Sequence, residues 1–437
     1  QNAKDIGHNQ INFHRTIGEP LVMKYADELG LYLYEEPGAF HAGEQYYEVF
    51  DSTFAGDIMY EKVRRMVIRD RNHPSLVQIN LCNEDNGWNT LRERAMIMAN
   101  KLNNSVIVTN TSAWSDSTNH IRPYESSIRS DLADWHTVEA EDRFQESDLK
   151  SHSTSDYENL RHWGEVRCYT GPPNWYSVAK LRSKSGTPGY DENVYKPLHD
   201  DILDYFNRNN LSTNGSKVIS SPSDVTTQAG RGLMYIDGRL GQIIMLSDAV
   251  DGYAINGWSA GPQAAEVIPE EDFNWESAIT DEARNLKGVA SDFAYWVRDL
   301  QIAIIRKNGK YFKPGDAGEF DVHLINEGRI PAGSYTLSIR VIDGVGNETA
   351  FQHDVIVDVK GGDVYAQKFI ESLVIPFDAS FHAGHITVEG KLYDGTTVVA
   401  DGAEQVLLQN RPSWQKDISP YNIAVSDWAA AKTAIQD

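Results

Sequence analysis

The feature that most constrains this chain is a change of period near residue 300. Up to that point short apolar runs alternate with helical patterns. Strand candidates are Gln10 to His14, Leu31 to Tyr34, Leu76 to Leu81, Ser105 to Thr109, Trp135 to Val138, His162 to Val166 and Tyr253 to Asn256. Ala55 to Asp70, between the second and third, gathers Ile58, Val63, Met66 and Val67 on one side of a helix, so this helix covers a strand. Gly171 to Asp248 is long for one connection; with helical stretches around Trp175 to Lys184 and Val194 to Phe206, it reads as an elaborated loop beside the site. Beyond Leu300 the period becomes two: Tyr335, Leu337, Ile339 and Val341 alternate with Thr336, Ser338 and Arg340. Turn signals fall at Asn308-Gly309, Asp343-Gly344, Gly361-Gly362 and Asp394-Gly395. Such a chain is an α/β domain followed by an all-β one, and about seven strands in about 110 residues predict an immunoglobulin-like sandwich.

One stretch carries chemistry as well as fold. Arg69 to Glu84 runs from a charged helix end, through the apolar strand Leu76 to Leu81, into Asn83-Glu84. A buried strand delivering a carboxylic acid at its C-terminal end is how a (β/α)8 barrel presents a catalytic group. Glycosidic cleavage suits that pair, since the acid protonates the leaving oxygen while the amide donates to a neighbouring sugar hydroxyl.

Several phrases in order resemble the barrel of family 2 glycoside hydrolases, which include β-galactosidases, β-glucuronidases and β-mannosidases. They are Asn12-Phe13-His14-Arg15, Tyr25-Ala26-Asp27-Glu28-Leu29-Gly30, Leu31 to Gly38 with its Glu35-Glu36-Pro37, and Arg69-Asp70-Arg71-Asn72-His73-Pro74-Ser75 before the acid. The resemblance implies a (β/α)8 TIM barrel over 1–299, an immunoglobulin-like sandwich over 300–410, and a linker opening a further domain over 411–437. It also implies that the first barrel strand and the domains that usually precede the barrel are missing, so that the chain belongs to a longer protein or pairs with a chain that completes the barrel.

It implies roles as well. Glu84 is the acid/base and Glu165 the nucleophile of a retaining exo-β-glycosidase. Trp163-Gly164-Glu165 with Pro172-Pro173 resembles the seventh strand of some members, although Glu165-Val166-Arg167 stands where the commoner form is Glu-Phe-Gly or Glu-Tyr-Gly. His14, Arg15, Glu35, Glu36, Asn83, His136, Trp163 and Trp258 line the mouth as substrate contacts, Trp258 as the aromatic platform. The Asn-x-Lys of β-glucuronidases has no counterpart around Asn274-Trp275-Glu276, and Asn285-Leu286-Lys287 belongs to a structural phrase. A terminal β-galactoside is therefore the first expectation, with a glucuronide or another β-glycoside as alternative.

Composition agrees with a soluble carbohydrate enzyme. Hydrophobic residues make up 41% and charged ones 24% of the 437. A net charge of −23 argues against a nucleic-acid backbone as partner. The two cysteines, Cys82 and Cys168, are too few for a disulfide scaffold and read as buried thiols. No apolar run is long enough for a membrane helix. The sequence opens with neither Met nor a signal-peptide core, and a periplasmic or secreted address is favoured over a cytoplasmic one. No zinc spacing occurs and no cofactor is expected; Mg²⁺, which some relatives hold, would fall to Glu35 or Glu36. Homo-oligomerisation is compatible with all of this. The competing class is a noncatalytic carbohydrate-binding or assembly module of the same fold.

Overall fold

The computed structural model describes residues 1–38, 53–83, 90–112, 115–137, 161–166, 190–211, 220–247, 250–255, 258, 279–281 and 284–409. The chain divides into two compact units, Gln1–Arg298 and Asp299–Asp437.

The first unit is built on an eight-stranded sheet whose strands follow one another in chain order: β1 (Gln10–Phe13), β2 (Tyr32–Glu35), β3 (Leu76–Asn83), β4 (Ile107–Ser112), β5 (Ser115–Ile121), β6 (Arg129–Thr137), β7 (Arg161–Val166) and β8 (Gly252–Ile255). Seven correspond to the strands expected from the sequence. β1 to β4 pair in parallel, as do β6 to β8, while β5 is antiparallel to both of its neighbours. The expected all-parallel order is corrected here: β4 turns straight back into β5 with only two residues between them, too few for a crossover helix. β8 comes back near β1, so the sheet curls, but no ladder joins those two strands among the described residues.

Helices cover the sheet: α1 (Asn2–Asp5), α2 (Pro20–Leu29), α3 (Thr53–Asp70), α4 (Thr90–Leu102), α5 (Tyr190–Arg208), α6 (Pro222–Met245) and α7 (Ala290–Ala294). α2 shows how local sequence sets its limits. Pro20 opens it where no amide partner is needed, and Gly30 closes it in the left-handed region at φ 66°. Leu33, Ile79, Leu81 and Val108 of the strands pack with Met23, Val63, Met66, Val67, Met96 and Ala99 of α2, α3 and α4. The segment read as an elaborated loop holds two long helices, the 24-residue α6 among them. The stretch around 175–184 lies outside the described residues. No described helix is long and apolar enough to cross a membrane.

The second unit is a two-sheet sandwich. β9 (Leu300–Arg306), β11 (Ala317–Asn326) and β14 (Ala366–Pro376) form one sheet, in the order β14-β11-β9. β10 (Tyr311–Phe312), β12 (Gly333–Ile342), β13 (Glu348–Val359), β15 (Gly384–Asp394) and β16 (Thr397–Leu408) form the other, in the order β10-β16-β15-β12-β13. The period-two residues Leu337, Ile339 and Val341 are fully buried with Phe320, Val322 and Leu324 from the facing sheet.

Candidate functional site

Strand alternation gives the first sheet two different faces. Leu33, Ile79 and Val108 turn toward the helices, whereas Tyr34, Asn80 and Thr109, each one position along, meet one another as a buried polar network. Register explains the meeting, because Asn80 lies opposite Thr109 and Glu35 opposite Ile79, which brings Glu36 level with Asn80. Asn80 Nδ2 donates to Glu36 Oε1 at 2.9 Å and to Tyr34 Oη at 2.7 Å; Thr109 Oγ1 donates to Asn80 Oδ1 at 2.9 Å. Tyr34 Oη donates to Glu36 Oε1, and the Arg15 amide donates to Glu36 Oε2 at 2.7 Å. Burial pushes the Glu36 carboxyl up, and the donors from Tyr34, Asn80 and Arg15 pull against that.

The two adjacent glutamates do different work. Glu36 joins the network, while Glu35 accepts from the Gly18 amide at 3.2 Å and lies 4.0 Å from Nη2 of Arg69, which itself grips Asp70. Both carboxylates are 0% exposed. Burial, then the neighbouring Asp70 carboxylate, pushes Glu35 up to about 8, against the Gly18 amide and Arg69. Both oxygens of Glu36 face protein donors; at Glu35, Oε2 takes the Gly18 amide and faces Arg69, while the buried Oε1 has no hydrogen-bond partner. No group of three or more His, Cys, Asp or Glu suited to a metal occurs among the described residues.

The other expected site residues that the structure describes lie within the strands or in the segments that follow them. His14 and Arg15 form the turn after β1, with Arg15 in the left-handed region at φ 55°. Asn83 is the last residue of β3; its Oδ1 accepts from Ser112 Oγ at 2.8 Å, and its buried Nδ2 has no hydrogen-bond partner. Glu84 follows it in the chain and lies outside the described residues. Glu165 belongs to β7, where it is the register partner of His136 on β6, and Trp163 on β7 is the partner of Tyr253 on β8. Trp258 comes three residues after β8 rather than at its end. Its carbonyl accepts from Thr280 N at 3.1 Å and Oγ1 at 2.5 Å, and its ring meets His8 edge-on at 6.4 Å. Burial holds the His8 imidazole down at about 4, so it is neutral there near pH 7. Cys82 is a buried free thiol; Cys168 lies outside the described residues.

Tyr34, Asn80 and Thr109 were not expected at the site. Their one signal was Asn80, which with Gln78 interrupts the apolar run of Leu76 to Leu81.

The fold is shared with a solved exo-chitosanase. That protein, CsxA of Amycolatopsis orientalis, matches at TM-score 0.55 and 12% identity over 93% of this chain and 45% of its own. The same enzyme, described as an exo-β-D-glucosaminidase in a study of its inhibition, matches at TM-score 0.55 and 13% identity over 93% and 46%. A β-glucuronidase of Parabacteroides merdae matches at TM-score 0.43 and 13% identity, over 93% and 47%. This chain thus spans just under half the length of these structures, and at such identity the likeness to CsxA is one of fold. No family model and no curated protein sequence matches the chain.

Proposed function

We propose that the chain carries the catalytic portion of a retaining exo-β-glycosidase. The observation that supports this best is the shared direction of the strands on which, or just after which, the expected groups fall in the chain. β3 leads directly into Glu84, β7 carries Glu165 beside His136 of β6, and the turn bearing His14 and Arg15 follows β1, all from strands that run the same way. Carboxylates at the C-terminal ends of parallel strands, above a packed helical layer, are arranged for chemistry at a mouth.

In the first step the Glu165 carboxylate attacks the anomeric carbon while Glu84 gives its proton to the glycosidic oxygen, and the aglycone leaves. In the second, Glu84 takes a proton from water, the water oxygen attacks the anomeric carbon, and the sugar departs with Glu165 restored as carboxylate. Trp258 stacks on the C–H face of the terminal sugar. Asn83, whose buried Nδ2 has no other partner, donates to a hydroxyl.

The sugar we assign carries no carboxylate, a β-galactoside first. Asn285 is occupied with Asp281, at 3.0 and 3.3 Å, and Lys287 is buried, so neither is presented to a sugar carboxylate. The exo-chitosanase likeness adds a β-glucosaminide to the candidates.

Hydrolysis of nitrophenyl β-galactoside, β-glucosaminide, β-glucuronide and β-mannoside tests the reading. Release from one of them should fall by about 10³-fold or more in Glu84→Gln and in Glu165→Gln, both still folded. If the native protein is inert on the whole panel but binds an oligosaccharide, the noncatalytic module is the correct class.

A further inference from the structure

Glu36 is fully buried, saturated with donors, and attached to the one turn that carries two of the expected sugar contacts. Its Oε2 accepts the Arg15 amide at 2.7 Å, and its own amide donates to the Thr16 carbonyl at 3.3 Å. Arg15 sits at φ 55°, a conformation that side-chain-bearing L-residues adopt only when something compensates for it. Gly38, itself at φ 85°, lies on the other side, where an added Cβ would come within 3.1 Å of the Arg15 carbonyl oxygen. Three residues further along the same turn, the Gly18 amide donates to Glu35.

Resting on the glycosidase reading above, we propose that Glu36 is a positioning residue: it fixes the left-handed turn at Arg15 and so sets where His14 and Arg15 meet the sugar. The carboxylate form is what the geometry requires. Tyr34 Oη, Asn80 Nδ2 and the Arg15 amide all point donors at it, and an amide in its place would turn an N–H₂ toward one of those donors. Tyr34 and Asn80 act at one further remove, orienting Glu36 so that Oε2 reaches the turn. Such a residue touches no reacting atom, so its loss weakens the hold on substrate and leaves proton transfer in place.

The test compares Glu36→Gln, Tyr34→Phe and Gly38→Ala with the native protein. On the best nitrophenyl glycoside, KM should rise about tenfold or more in Glu36→Gln while kcat stays within about threefold and both limbs of the pH–rate profile stay where they were. Tyr34→Phe should give a smaller change of the same kind. Gly38→Ala displaces the turn from its other side without touching a carboxylate and should also act on KM. In each folded variant, amide hydrogen exchange at Arg15 should speed up. A kcat loss matching that of Glu84→Gln, or a moved pH limb, would mean that Glu36 transfers a proton and would overturn the proposal. So would an unchanged KM with Arg15 still protected. Should the native protein cleave none of the panel, the glycosidase reading fails by itself, and exchange at Arg15 in Glu36→Gln still decides whether the carboxylate holds the turn.

Discussion

The adjacent Glu35 and Glu36 show how one residue of register separates two roles. Period-two alternation sends Glu36 to the polar inner face and Glu35 to the helical side, where it shares space with Asp70 and Arg69. Glu35 moves from an ordinary 4.5 up to about 8, which makes it a stability group with a definite sign. The folded state holds its proton more tightly than the unfolded one, so its contribution is complete below the unfolded value and is lost as pH rises through 8. At about 1.4 kcal/mol per unit, the ceiling is roughly 5 kcal/mol for this group. Chemical denaturation at about pH 5 and about pH 9 should therefore show the native first unit losing stability toward the higher pH, and Glu35→Gln losing much less. Equal slopes in the two proteins would show that Glu35 titrates as an ordinary carboxyl.

At the scale of elements, what was legible in the sequence followed apolar pattern. Seven strands of the first sheet announce themselves through β-branched and aromatic runs, and the sandwich strands through alternation. β5 does not, because Ser115-Asp116-Ser117-Thr118-Asn119-His120-Ile121 has no period-two apolar face; its place comes from pairing on both sides with β4 and β6. α6 was hidden for another reason. It contains Gly230, Gly232, Gly238 and Gly241 and buries Asp237 and Arg239, a composition that weakens helix propensity and reads as loop. Those glycines are contact points: a Cβ at Gly230 would lie 2.2 Å from the Lys287 carbonyl oxygen, and one at Gly241 would lie 2.4 Å from Tyr253 Oη. The first obstacle is backbone, which cannot rotate away. Gly230→Ala should therefore destabilise the first unit by about 1–3 kcal/mol despite the better helix propensity of alanine, whereas Gly232→Ala, with open space around it, should be neutral or stabilising. A denaturation midpoint for Gly230→Ala at or above the native one would refute this packing. The candidate site was legible only as strand ends; the Tyr34–Glu36–Asn80–Thr109 network depends on which residues share a level, and register across three strands is not written in any one of them.

At the scale of the whole chain, the two units draw on separate stores of burial. The sandwich core, from Ile302 to Leu408, is supplied by its own two sheets, with Phe312 tilted against Phe377 and Phe377 edge-on to Phe381, ring centroids 4.9 and 5.5 Å apart. A buried ion pair, Arg306 with Glu404 at 3.2 Å, joins β9 of one sheet to β16 of the other. These strands lie even closer at Gly402, where an added Cβ would fall 1.7 Å from the Ile302 carbonyl oxygen. A chain segment with its own core, both sheets and a link between them has what independent folding requires. Residues 299–409 expressed alone should therefore unfold in one cooperative urea transition, with a slope of about 1–3 kcal/mol per molar as expected for a small domain. Gly402→Ala within that segment should lower the midpoint sharply, because neither backbone can retreat without breaking a ladder. Arg306→Met should cost more than an exposed ion pair would, since it leaves the Glu404 carboxylate buried without that partner. A segment that binds hydrophobic dyes and melts without a transition would show instead that the sandwich needs the first unit to hold its sheets together.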